Sequence, residues 1–117
     1  MLSIDLDYSA ATIAAAGSLS GAVGLGSKTL VGIAMPAAWT AAALTFQASA
    51  DGGTTWLEVY SSSGTEVSLT AAAGQFIAID PATWRGINDL KVRSGTAGVP
   101  VVQSGGAIVT LVTRSVL

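Results

Sequence analysis

Ala42-Ala43-Leu44-Thr45-Phe46-Gln47-Ala48, then Ser49-Ala50-Asp51-Gly52-Gly53-Thr54-Thr55, then Trp56-Leu57-Glu58-Val59-Tyr60, reads as two strands joined by a tight turn. Leu44 and Phe46 fall on one face of the first segment, and Thr45 and Gln47 on the other. That period of two is what a half-buried strand shows. Asp51-Gly52-Gly53 supplies the turn, because Asp bonds nearby backbone and Gly accepts a positive φ at little steric cost. Alternating residues on both sides of such a turn mark a β-hairpin.

The same period extends outward in both directions. Leu2, Ile4 and Leu6 alternate with Ser3, Asp5 and Asp7, which places both carboxylates on a polar strand face. Residues 12–14 and 19–25 are extended, with Gly17-Ser18 between them. Residues 28–35 form a better strand, with Leu30, Val31 and Ile33, stopped by Pro36. Downstream, residues 66–70 pair Val67 with Leu69 on one face, and residues 75–80 carry Phe76, Ile77 and Ile79 up to Asp80-Pro81. One helical turn fits residues 82–86. Residues 89–94 set Leu90 and Val92 against Lys91 and Arg93, residues 95–105 are a loop with extended character near 101–103, and residues 107–116 close the chain. The alanine runs at 41–43 and 71–73 are too short to nucleate a helix. The expectation is an all-β chain: one antiparallel β-sandwich domain over residues 1–117, jelly-roll-like, with about eight short strands.

Composition narrows the function. The 117 residues and 11.6 kDa suit a single domain. Ala and Gly make up 35 residues (21 + 14), so much of the hydrophobic half is alanine, yet Val, Ile, Leu and Phe still total 31 (11 + 7 + 11 + 2). That is enough for a packed core. Cysteine and histidine are both absent, which removes disulfides, thiolate chemistry, the usual imidazole base and the commonest transition-metal ligand. Five scattered cations against seven acids give a net charge of −2, so a nucleic-acid partner is not expected. The most apolar stretch, residues 30–46, is interrupted by Pro36 and is shorter than a bilayer span of about 20 residues, so no membrane partner is expected either. Asp5 and Asp7 stand where a secretory signal needs positive charge, and no signal peptide is expected. Only 10% of the residues are charged, against the quarter or more that a soluble monomer's surface usually carries, which favours a surface partly covered by partners.

Ser49-Ala50-Asp51-Gly52-Gly53-Thr54-Thr55-Trp56 fits S-x-D-x-G-x-T-W and resembles the Asp-box of sialidases and other β-rich proteins. The resemblance implies a structural hairpin built by Ser49, Asp51, Gly53, Thr55 and Trp56, with Trp56 packed beneath it. Trp56→Ala is then expected to cost roughly 3–5 kcal/mol, and Gly53→Val to disrupt the turn. One copy is present, without the repeats, arginine cluster or tyrosine nucleophile of sialidase chemistry. Gly26-Ser27-Lys28-Thr29 misses the phosphate-loop pattern because Ser27 separates the glycine from Lys28. Asp5 and Asp7 make neither a glycosidase pair nor a calcium loop by themselves. No catalytic, cofactor-binding or metal residue is expected, and the chain reads as a non-enzyme.

The runs at 38–49, 51–56 and 76–81, with Leu90-Lys91-Val92-Arg93-Ser94-Gly95-Thr96-Ala97, Pro100-Val101 and Gln103, resemble the small β-sandwich accessory proteins of tailed-phage virions and related gene transfer agents. The resemblance covers most of residues 30–117. It implies a virion component, such as a head decoration, a head spike or fibre base, or a tail part, located in the virion and acting through protein interfaces. Its partners would be copies of itself and capsid or tail/fibre subunits. The terminal segments, Leu2-Ile4-Leu6 and residues 108–116, would serve as docking strands. The alternative is a carbohydrate-binding module or adhesin facing a host-surface glycan, which requires at least one or two of Trp39, Trp56 and Trp84 exposed on a shared face.

Overall fold

The computed structural model describes residues 6–115. Eight strands and one helical turn follow in order: β1 Leu6–Ile13, β2 Val23–Gly24, β3 Lys28–Ala34, β4 Leu44–Ser49, β5 Leu57–Glu58, β6 Phe76–Ala78, α1 Pro81–Trp84, β7 Asp89–Ser94 and β8 Ala107–Ser115. They form two sheets of four, ordered β1-β8-β3-β6 and β2-β7-β4-β5, and every pairing is antiparallel. First pairs with last, second with seventh, third with sixth and fourth with fifth. The chain is thus one long hairpin, its tip at β4–β5, rolled so that successive pairs alternate between sheets. That arrangement is a jelly roll.

The core follows from alternation in β4, β7 and β8, and in β3 from a register shift between Leu30 and Gly32 that turns both Leu30 and Ile33 inward. Leu30 and Ile33 of β3 and Val109 and Leu111 of β8 face Leu44 and Phe46 of β4 and Leu90 and Val92 of β7, all fully buried. Trp84 meets Phe46 edge-to-face at 4.7 Å, a favoured aromatic geometry. It is delivered by α1, where the Asp80 carboxylate accepts the Ala82 N–H at 3.1 Å and Pro81 occupies the first turn. Each such buried side chain contributes about 2 kcal/mol relative to leaving it exposed.

Four expected elements differ, the first being the returning strand expected over residues 56–60, which is regular only at Leu57–Glu58. Thr12 and Ile13 are the end of β1 and Ala14 follows it, and the first strand's expected residues 1–5 lie outside the described residues. Within residues 19–25 only Val23 and Gly24 ladder regularly on β7. The Ser20 N–H reaches the Val92 carbonyl, but the Val92 N–H is taken by the Ser20 hydroxyl at 2.9 Å, so a side chain replaces a ladder bond. Residues 66–70 make isolated bridges, Glu66 to Tyr60 and Leu69 to Leu44. The segment changes partner between those two bridges and never completes a strand.

Candidate functional site

The five hairpin residues meet in the β4–β5 turn. The Ser49 hydroxyl donates to Asp51 Oδ1 at 2.8 Å and accepts the Gly53 N–H at 2.8 Å. Asp51 Oδ1 also accepts the N–H groups of Thr54 at 3.1 Å and Thr55 at 2.8 Å. Gly53 has φ of 99°, and its carbonyl accepts the Trp56 indole N–H at 3.1 Å. These bonds stay within the turn, on its own backbone or between Ser49 and Asp51. Trp56 is half-buried and lies outside the core cluster, with the Lys91 ammonium 4.6 Å from its ring centroid. The placement of Trp56 beneath the hairpin as a core residue is therefore corrected. β5 is a two-residue strand at the sheet margin, and the ring closes over the turn instead.

A second polar cluster has no local signature in the sequence. Arg93 of β7 is buried, and its guanidinium donates two 2.7 Å bonds to Glu58 of β5, one to each carboxylate oxygen. Thr45 accepts a third bond at 3.3 Å, and Glu66 stands 3.6 Å away. Gln47 donates to Glu58 at 2.9 Å, and the Ala97 N–H donates to Glu66 at 3.1 Å. The Arg93 hydrogen bonds hold the Glu58 carboxyl below the usual carboxylate range, with burial opposing and Gln47 assisting. One cation, hydrogen-bonded to Glu58 and ion-paired with Glu66, fastens the 59–67 hairpin and the loop after β7 over this sheet's outer face.

The outer face of the other sheet is different in kind. Cross-strand register sets Tyr8, Val112, Gly32 and Ala78 in one row, and Ala10, Thr110, Ala34 and Phe76 in the next. Thr12 and Ile108 continue it. None of these ten residues is charged, and the row at the other end, Leu6 opposite Arg114, adds one exposed cation to the same face. Phe76 is 64% exposed, Tyr8 62% and Ile108 55%. The Phe76 ring lies across Gly32, where an added Cβ would meet it at 2.5 Å. Val112 points outward, yet it is 5% exposed, between the Tyr8 and Gly32 positions in its row.

The remaining features are smaller. A cleft of about 380 Å³ opens between β5 and α1, lined by Leu57, Val59, Tyr60, Val67 and Ile87 among others. Trp84 is buried, whereas Trp39 and Trp56 are half-buried on the segments before and after β4, each with its indole N–H bonded to a backbone carbonyl. The five cations are dispersed: Lys28 pairs with Asp7, Arg93 with Glu58, Lys91 covers Trp56, and Arg85 and Arg114 lie on separate elements. Among the described residues no three acidic, histidine or cysteine side chains converge as a metal site, and no helix is long and apolar enough to cross a membrane. Comparison with protein-family models, with curated proteins and with solved structures finds no match.

Proposed function

We propose that this chain is a structural component of a tailed phage or phage-like particle, a capsid decoration or head spike/fibre base protein, working through protein interfaces rather than chemistry. The observation that carries the reading is the asymmetry of the two outer faces. One is an ion-paired polar face covered by its own loops, and the other exposes Phe76, Tyr8 and Ile108 and carries one charged side chain among the described residues, Arg114 at its end opposite Leu6. Contiguous exposed apolar surface of this kind is what a protein–protein contact uses. The low charge content and the resemblance to particle accessory proteins point the same way. The dispersed cations favour protein over nucleic acid as the partner.

The glycan-binding alternative has less support, since the tryptophans do not gather on one face. The test is mass spectrometry of particles purified from the producing host, with the natural chain and with Phe76→Glu. The expected result is the chain at stoichiometric abundance in particles, and loss of the Phe76→Glu variant although it folds. Absence of the natural chain from purified particles overturns the reading.

A further inference from the structure

The geometry points to β1 as a self-pairing edge: its free side joins β1 of a second copy, antiparallel across a twofold axis, and extends the first sheet from four strands to eight. β1 has eight residues and, among the described residues, pairs on one side only, with β8. The other three sheet margins are β2, β5 and β6, of two, two and three residues. Sheet edges are ordinarily protected by proline, lysine, a bulge or a covering loop. β1 has none of these within Leu6–Ile13. Its register on β8 is unbroken, and its one charge, Asp7, is already paired with Lys28 at 3.3 Å.

Three features single out a second copy as the occupant. Opposed residues in an antiparallel pair point to the same face, so a twofold axis must pass through a residue. Only Ser9 or Ala10 as centre keeps seven of the eight residues paired, 6–12 or 7–13. In either register the two Asp7 carboxylates stand four or six residues apart along the ladder, about 13–20 Å and beyond the ~8 Å screening length. The same axis brings the two outer faces side by side, with Tyr8 opposite Ala10 or Thr12 of the second copy and Arg114 set back on β8, away from the new seam. At the neighbouring margin of the other sheet the exposed residues Gly21, Ala22 and Gly24 present no bulk or charge to hold two copies apart.

This pairing deepens the interface role proposed above and rests on it only for its use in an assembly. The test is solution mass across a concentration series, by sedimentation equilibrium or light scattering. The expected mass rises from 11.6 kDa towards twice that value. The sequence has no cysteine, so single-cysteine variants report the axis directly. Ser9→Cys or Ala10→Cys, whichever lies on it, gives a disulfide-linked dimer on mild oxidation, and Thr110→Cys on β8 gives none. Ala10→Lys sets two lysine side chains on one face with their Cβ atoms about 5–8 Å apart in either register, so that like charges meet at the seam. It is expected to raise the dimer Kd at least tenfold at low salt, with an unchanged circular dichroism spectrum, because Ala10 is exposed. A mass of 11.6 kDa at every concentration up to about 1 mM overturns the proposal. So does a closed ring of three or more, or a dimer that neither cysteine crosslinks and Ala10→Lys leaves intact. A dimer of a chain absent from particles keeps the pairing and removes the particle role. A particle-bound chain that stays monomeric at all concentrations does the reverse.

Discussion

Asp51 Oδ1 collects one hydroxyl and two backbone N–H groups, and the Thr55 N–H is the largest influence in lowering its pKa from 3.8 to about 2. A carboxyl depressed on folding contributes stability that is present above its unfolded pKa and lost as pH falls through the folded value. The turn's share is therefore constant near neutrality and disappears between about pH 4 and 2. Asp51→Asn retains an acceptor but not the charge. Its melting temperature is expected to approach that of the natural chain as acid titrates Asp51, which a pair of melting-versus-pH curves checks. Trp56 contributes less than a core tryptophan because half of it faces solvent. Trp56→Ala is expected to cost about 1–2 kcal/mol, from one indole hydrogen bond, the Lys91 contact and partial burial. A urea-denaturation midpoint corresponding to a loss of about 4 kcal/mol would return Trp56 to the core. Gly53→Val is strained at φ of 99° wherever the side chain points, although an added Cβ itself meets only the Trp56 ring at 3.7 Å.

At the scale of elements, β4, β5 and β7 are held together across their outer face by Arg93. Removing one member of a buried pair leaves the other charge uncompensated, at about 3–5 kcal/mol. Arg93→Met is expected near 3 kcal/mol, the low end, because the Glu58 side chain remains 31% exposed. Glu58 and Glu66 would then repel, so the variant should recover part of its loss below about pH 5, where carboxylates begin to protonate. The natural chain should behave oppositely, its Glu58 contribution fading as pH falls through the carboxylate range. Stability of both proteins from pH 3 to 7 checks the crossing trend. Gln103 is the corresponding clamp at the other end of β4. It is 1% exposed, donates to the Thr40 carbonyl and Ser94 hydroxyl at 2.8 Å, and accepts the Thr40 N–H at 2.8 Å. Gln103→Leu leaves the Thr40 groups without these partners and is expected to cost about 2–3 kcal/mol by denaturant titration.

Those clamps are written in no local stretch of the sequence. β4 and β7 were legible because face alternation is written within six consecutive residues, β3 from its run of β-branched and aliphatic residues up to Pro36 despite the register shift between Leu30 and Gly32, and the five hairpin residues lie within eight positions. Residues 19–25 and 66–70 were overread as strands. Their irregularity depends on the Ser20 hydroxyl taking the Val92 N–H and on a change of partner from Tyr60 to Leu44. The Arg93 cluster joins positions 35 and 27 residues apart in sequence, and only the order β7-β4-β5 brings them together. The exposure of Trp56 likewise depends on β5 lying at a margin.

At the scale of the molecule, the jelly roll closes its core with β3, β4, β7 and β8 in the middle and leaves short strands at three of four margins. Internal packing is thus separated from the outer face that carries Phe76 and Ile108, so the two can be altered independently. Phe76→Lys with Ile108→Lys removes two of the exposed apolar side chains without opening the core. Phe76 does cover Gly32, so some loss is expected, within about 5 °C of melting temperature, equivalent to about 1 kcal/mol. Surface apolarity should change far more, because these residues belong to a patch without charge. The double variant should elute distinctly earlier from a hydrophobic-interaction column at equal salt. Leu57→Lys adds the same kind of charge at an exposed leucine beside the β5–α1 cleft and provides the comparison. An equal shift from Leu57→Lys alone would mean that the apolar surface is spread around the molecule and that the face built by β1, β8, β3 and β6 has no special claim to be the interface. A large shift confined to the double variant, at nearly constant stability, would locate the adhesive surface on that face while the packed interior stays intact.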